Sequence, residues 1–336
     1  MKKLIFIFLV FLSSLVSAEE TPVFLEIPKG SAKLGLLLQN WLIYDEKNTT
    51  DRSNFRLRRA EIKLSGTVQK DTSWLIMFDP AKTLKTGAIV ATNDNKILQD
   101  LILSYSFLND FELSVGQFKI NTTAEGLLSS SNLLLPERSI VGRTYGDKRD
   151  PTIRLNWKVD KLKFMGAMSH GNKPNTDDTN SEKDLYLRGE YTPFKGLTVG
   201  SFFGAVDTYF HKNKYGANLF WDHELDSFHF EYAHEASSTT AGVKRSGGYV
   251  VDFAHGFSSE IQAVFRYENI LFVRSLDIES TASTLGINYL LKESNSKVQF
   301  ATLFLNNLTA SNGSYDVSST PISSSELFIV SFQMGF

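Results

Sequence analysis

The sequence contains no cysteine, which removes disulfide scaffolds, Cys-ligated zinc, iron–sulfur clusters and thiol nucleophiles together. It also lacks a charge excess: 35 basic residues stand against 37 acidic ones among 336, a formal net charge of −2. A nucleic-acid binder would show a basic surplus or stripe, so no nucleic-acid partner is expected. Neither G-x-S-x-G nor H-E-x-x-H occurs, and His229 and His234, five apart on one strand, have opposite parity. An enzyme is therefore not expected, and the expected set holds no catalytic residue, metal site or cofactor. Beyond Ala18 there is no apolar run long enough for a membrane helix.

The exception lies before Ala18. Lys2 and Lys3 precede nine apolar residues, Leu4 to Leu12, and small residues follow, ending Val16-Ser17-Ala18. As a helix that run spans only about 14 Å, against a hydrocarbon core of roughly 30 Å. The pattern reads as a cleaved secretory signal peptide over 1–18. Losing Lys2 and Lys3 takes the formal charge from −2 to −4. Residues 19–30 read as a short N-terminal periplasmic segment, and 31–336 as one domain.

What is abundant is aromatic, with 26 Phe and 12 Tyr, and it is written in period two. Phe228-His229-Phe230-Glu231-Tyr232 alternates without a break, and Leu101 to Phe107 does so apart from Ile102. Such alternation means a strand with one apolar and one polar face. A soluble β-sandwich also alternates, but it would hide its aromatics and expose the polar face. Here the apolar face is aromatic-rich and the other is often charged, the economy of a transmembrane β-barrel.

Strands are expected near 31–45, 54–68, 72–80, 97–108, 111–120, 151–159, 161–170 and 184–193. The second half gives 196–206, 213–222, 225–236, 245–255, 259–269, 281–292, 296–306 and 325–336. Sixteen is an even number, as closed antiparallel bacterial barrels require. Short connections such as Gln69-Lys70-Asp71 and Asn109-Asp110 alternate with long ones at 81–96, 121–150, 170–183 and 307–324. The two kinds form the periplasmic and extracellular rims of a barrel in the bacterial outer membrane, in contact with its lipid and lipopolysaccharide.

Phe328, Val330, Phe332, Met334 and the terminal Phe336 share one face of the last strand. A terminal aromatic in that pattern looks like the strand recognised by the outer-membrane assembly machinery. Deleting Phe336 is expected to abolish assembly while leaving export intact. A normal heat-modifiable barrel in membranes of a strain carrying the deletion would rule this out.

Four stretches make the chain resemble the phosphate-selective porins O and P. They are Phe55-Arg56-Leu57-Arg58-Arg59-Ala60-Glu61, Leu98 to Tyr105, Val115-Gly116-Gln117-Phe118-Lys119, and the run from Glu125-Gly126-Leu127-Leu128-Ser129-Ser130 to Pro136-Glu137-Arg138-Ser139. Leu285-Gly286-Ile287-Asn288-Tyr289-Leu290 adds to them. The resemblance implies a trimeric porin of sixteen strands whose long third loop folds inward, which makes 121–150 the constriction loop. It implies passive diffusion of small hydrophilic solutes and ions, with small anions such as phosphate among them.

Anions leaving water need replacement donors, and rings of Arg or Lys supply them in anion pores. Ala60, Ile62 and Leu64 share the lipid parity, so Arg59, Glu61, Lys63 and Ser65 point to the lumen. Phe55 and Leu57 keep the opposite parity, so Arg56 faces inward and the phase slips at Arg58, where a bulge would bring Arg58 and Arg59 to one side. Asp100 points inward, able to hold neighbouring arginines. The expected constriction and anion-binding set is Arg56, Arg58, Arg59, Asp100, Lys119, Arg138 and Arg143, with a rim salt bridge from Glu137 to Arg143 as the plainer role of the loop charges. Glu190, Glu231, Asp252 and Glu268 share lumen parity with Arg154, Arg188 and Arg266, which argues for a general or weakly selective pore. The alternative is a structural or adhesive barrel whose loops bind external partners.

Overall fold

The computed structural model of the protein describes residues 24–27, 30–46, 52–83, 97–206, 212–239, 242–274, 276–291, 295–306, 308–311, 314–317 and 325–335. The expected signal peptide, most of segment 19–30, and Phe336 lie outside the described residues.

Sixteen strands follow one another around a closed sheet. The first eight are β1 Gly30–Glu46, β2 Arg52–Gln69, β3 Thr72–Phe78, β4 Leu98–Phe107, β5 Phe111–Lys119, β6 Arg149–Val159, β7 Leu162–Ser169 and β8 Asp184–Phe194. The second eight are β9 Leu197–Val206, β10 Lys212–His223, β11 Asp226–Thr239, β12 Gly242–Gly256, β13 Ile261–Arg274, β14 Leu276–Leu290, β15 Lys297–Asn306 and β16 Ser325–Gly335. Each pairs with its successor, and β16 returns antiparallel to β1 with Gln333 opposite Gln39. The seventeenth member of the sheet, Phe24–Ile27, folds back on the start of β1, with Phe24 opposite Lys33. Closure matters because a bilayer offers no water to an unpaired strand edge.

The period-two pattern decides which face meets lipid. Leu101, Leu103 and Tyr105 are exposed on β4, whereas Ser104 is buried; on β16 Phe328 and Met334 are exposed while Leu327, Ile329, Ser331 and Gln333 are buried. Around the short turns of β4 to β7 the outer aromatics stack in a row. Tyr105, Phe107, Phe111, Trp157 and Phe164 follow one another at centroid separations of 6.3, 5.6, 5.8 and 5.5 Å. Such a girdle suits the membrane–water interface. The β4–β5 turn is made by Leu108 and Asn109 in left-handed conformation, as a tight hairpin with primed geometry demands.

Three expectations need correction. Strands drawn at 259–269 and 281–292 run instead to Arg274 and from Leu276, with Arg274 opposite Leu276. The run Ile270-Leu271-Phe272-Val273 is continuously apolar, so a period-two rule stops short of it. The long connection 307–324 contains a hairpin, Leu308–Ser311 with Ser314–Val317. The Asn312-Gly313 dipeptide between them is the sequence signal for it.

The connection 120–148 between β5 and β6 carries most of the buried packing. It contains a helical turn, Ala124–Leu127, capped by Thr123 Oγ1, which accepts from the amide of Gly126 at 3.2 Å. Its two arms touch: a Cβ on Gly146 would lie 1.7 Å from Thr123 Oγ1, so only glycine fits there. Leu135, Ile140, Val141 and Tyr145 join Trp41, Ile43, Val250, Val264, Leu303, Leu305, Leu327 and Ile329 in one apolar cluster. These wall residues belong to β1, β12, β13, β15 and β16, so the main core lies between this connection and the inner face of the barrel.

Candidate functional site

The bulge on β2 sets the first part of the site. Gln39 lies opposite Arg59 and Asn40 opposite Leu57, so Arg58 is the extra residue. Both guanidinium groups then reach the same acceptor, Glu137 of the 120–148 connection. Arg58 donates from Nε (2.8 Å) and Nη2 to Oε2, and Arg59 donates from Nη2 to Oε1 at 2.9 Å. Arg59 Nη1 also donates to Gln39 Oε1 and, at 3.3 Å, to the carbonyl of Pro136. The Arg58 guanidinium sits 5.3 Å from the Trp41 ring centroid. Arg56, in register with buried Trp41, and Arg143 lie within electrostatic range of Glu137.

Glu137 is thus not at the rim. Its side chain is 4% exposed and its ion-pair partners are the two β2 arginines, because the bulge aims both at it; Oε1 also accepts from the Arg138 amide at 3.0 Å. Burial opposes its ionisation, but Arg58, Arg59 and Arg143 outweigh that and hold the carboxyl well below the ordinary carboxylate value.

A second group gathers on Asp147. Burial raises its pKa, yet Arg138, Lys119 and Arg149 lower it further and keep it ionised. Lys119 Nζ lies 3.2 Å from Asp147 and donates at 2.7 Å to the carbonyls of both Gly126 and Leu128. Arg138 Nη2 donates to the Leu128 carbonyl at 2.6 Å, and its Nη1 lies 3.4 Å from Asp147. Asp100 accepts from Arg149 Nε at 2.7 Å. The seven sequence-derived residues therefore fall into two groups: Arg56, Arg58, Arg59 and Arg143 around Glu137, and Lys119, Arg138 and Asp100 around Asp147 and Arg149.

The opposite wall carries residues that sequence reasoning placed inward without a role. Arg266 donates to Asp252 from Nε (2.6 Å) and Nη2 (2.7 Å), to Glu125 at 2.6 Å and to the Glu137 carbonyl at 3.1 Å. Glu231 accepts from the amides of Ala124 and Glu125, and Glu268 from the amide of Ile140. Arg188 Nη1 donates to the Thr122 carbonyl at 2.5 Å. The Arg266–Asp252 pair was open to discovery, since a hairpin turn centred near residue 259 sets 252 opposite 266. Asp147, Arg149 and the loop glutamates had no such signal, because their partners lie far away in sequence.

Beside these groups the barrel retains a cavity of about 410 Å³. Its charged lining is Lys33, Lys63, Lys119, Arg149, Glu61 and Asp100, with Ser129, Ser130 and Ser131 from the connection. Four cationic and two anionic side chains leave a positive balance in a polar, wettable space. Among the described residues no cluster of three or more His, Asp or Glu could hold a metal ion.

The model of the family described as phosphate-selective porin O and P matches residues 40–247. Porin O of Pseudomonas aeruginosa is 27% identical over 152 residues, 44% of this chain and 32% of that protein, so the match spans about a third of the relative's length. Among solved structures, OmpT, an outer membrane protein of Vibrio cholerae, superposes with a TM-score of 0.66 at 12% identity, covering 93% of this chain and 99% of that one. The anion-selective porin from Comamonas acidovorans gives 0.66 at 12% identity, covering 91% and 100%. At such identities the two structures share the fold alone.

Proposed function

This chain belongs to the phosphate-selective porin O and P family of the bacterial outer membrane, and on that premise we propose that it forms a water-filled channel for passive diffusion of small hydrophilic solutes and ions. The observation that carries the reading is the inverted barrel: apolar side chains outward, charged side chains inward, and a polar cavity left beside a buried loop. In this reading the connection 120–148 is the constriction, and solutes pass between it and the inner faces of β1 to β6. The positive balance of the cavity favours anions. The lining alternates sign along Glu61, Lys63, Asp100 and Lys119, which weakens retention and lets an ion leave, as conduction requires. Residues 1–18 serve as the export signal, and the assembled form is a homotrimer, as one OmpT structure from Vibrio cholerae is described.

The reading is tested in planar bilayers. Purified protein should add stepwise conductance, and a potassium chloride gradient should give a reversal potential of modest anion preference. Repeating the gradient with phosphate measures whether phosphate is favoured over chloride. Absence of conductance steps from a heat-modifiable barrel would reject the channel.

A further inference from the structure

The wall holds the 120–148 connection by its backbone. Carbonyls at Leu133, Leu134, Pro136 and Glu137 are taken by inward donors, namely Lys297 (2.6 Å), Asn288 (2.8 Å), Gln39 (3.3 Å) and Arg266 (3.1 Å). Donors are plentiful on that wall. Among the described residues, two wall side chains accept the loop's amides, one on β11 and one on β13. Glu231 takes two successive amides, Ala124 to Oε1 and Glu125 to Oε2 at 3.2 Å, at the start of the helical turn 124–127. Glu268 takes the amide of Ile140 on Oε2, on the other arm. Both glutamates are buried, 1% and 0% exposed, so neither faces the cavity. We infer that Glu231 and Glu268 are positioning residues that set the aperture, fixing each arm of the loop by its backbone amides.

The physical basis is an asymmetry of chemistry. A buried amide deprived of its acceptor has no water to turn to, so the arm either stays docked or swings away. A carboxyl group carries two acceptor oxygens on one short side chain, which suits it to taking up backbone amides. The two sites also differ. Glu231 uses both oxygens on amides, so glutamine there would aim an NH2 group at a backbone N–H. Glu268 takes the Ile140 amide on Oε2, and glutamine can still present one oxygen there.

This inference rests on the channel reading, and the test separates the two. Single-channel recordings are made on wild type, Glu231→Ala, Glu231→Gln, Glu268→Ala and Glu268→Gln, each first shown to be a heat-modifiable barrel. Loss of one such bond should raise the time spent in a larger, noisier conductance state about tenfold, the factor that 1.4 kcal/mol gives. The expected order is Glu268→Gln less altered than Glu268→Ala, with Glu231→Gln and Glu231→Ala both strongly altered. Were the glutamates acting on ions through their charge, Gln and Ala would be equivalent at each position and would shift reversal potential; that result overturns the inference. Ala variants indistinguishable from wild type also overturn it. If the Ala variants fail to fold, the contrast between the two Gln variants decides alone: equal behaviour rejects the proposal, and a larger defect in Glu231→Gln supports it. A wild type without conductance rejects the channel reading instead.

Discussion

Arg266→Met is expected to yield little folded barrel, because it strands two buried carboxylates. Arg266 is 1% exposed and is the shared cation of Asp252 on the neighbouring strand and Glu125 on the loop. Methionine fills much of the same volume but supplies no charge and no donors. Breaking a buried pair by removing one partner typically costs about 3–5 kcal/mol, since the remaining charge has lost both water and counter-ion. Here one removal exposes two partners to that penalty and also frees the Glu137 carbonyl. The urea midpoint of barrel refolded into detergent, read by heat-modifiable mobility, should fall well below wild type. Adding Asp252→Leu removes one stranded charge and should recover part of the loss. A wild-type midpoint in Arg266→Met would show that the triad carries no stability.

The same triad marks where sequence reasoning ends. All sixteen strands were legible because a lipid-facing strand has no freedom in its parity: Leu101, Leu103 and Tyr105 must be apolar, and Asp100 between their neighbours cannot face outward. The bulge was legible for the same reason, since Phe55 and Leu57 disagree in phase with Ala60 and Ile62, and the register does shift at Arg58. Strand ends at 270–276 escaped because Ile270 to Val273 does not alternate. The loop's attachments escaped for a different reason. Glu231 and Glu268 bond backbone amides more than one hundred residues away, and a backbone amide has no letter in the sequence. Parity could say that these acids face the lumen, but not that the loop had already claimed them. Their apparent opposition to anion flow therefore counted for more than it should, because their oxygens serve Ala124, Glu125 and Ile140 and lie away from the cavity.

That distinction shapes the second large effect, at Glu137. Its carboxylate occupies the fork between Arg58 and Arg59. Glu137→Gln removes the resident negative charge and leaves two adjacent guanidinium groups facing each other, with Arg56 and Arg143 nearby. Unit charges about 4 Å apart interact by on the order of 4 kcal/mol at an effective dielectric near 20. Solvation and movement of the side chains absorb much of this. A residue of about 1.4 kcal/mol would still raise anion occupancy tenfold. The expected result is a marked rise in chloride-over-potassium permeability in Glu137→Gln. Arg59→Ala alone should shift it little, since Glu137 keeps Arg58. The double variant Arg58→Ala, Glu137→Gln should return toward wild type, giving a coupling energy in a double-mutant cycle. Lys70→Ala, in the β2–β3 turn, is the control and should change nothing. The pH dependence follows from the sign of the shift. A carboxyl held below its ordinary value stabilises the docked loop fully above its unfolded pKa of about 4.3. That contribution is lost only as pH falls through the lower folded value. The contribution of Glu137, read as the difference between wild-type and Glu137→Gln permeability, should therefore hold steady from about pH 8 to pH 5, above both values. Unchanged permeability in Glu137→Gln, or a step in that difference between pH 8 and 5, would mean that Glu137 does not hold the arginine pair closed.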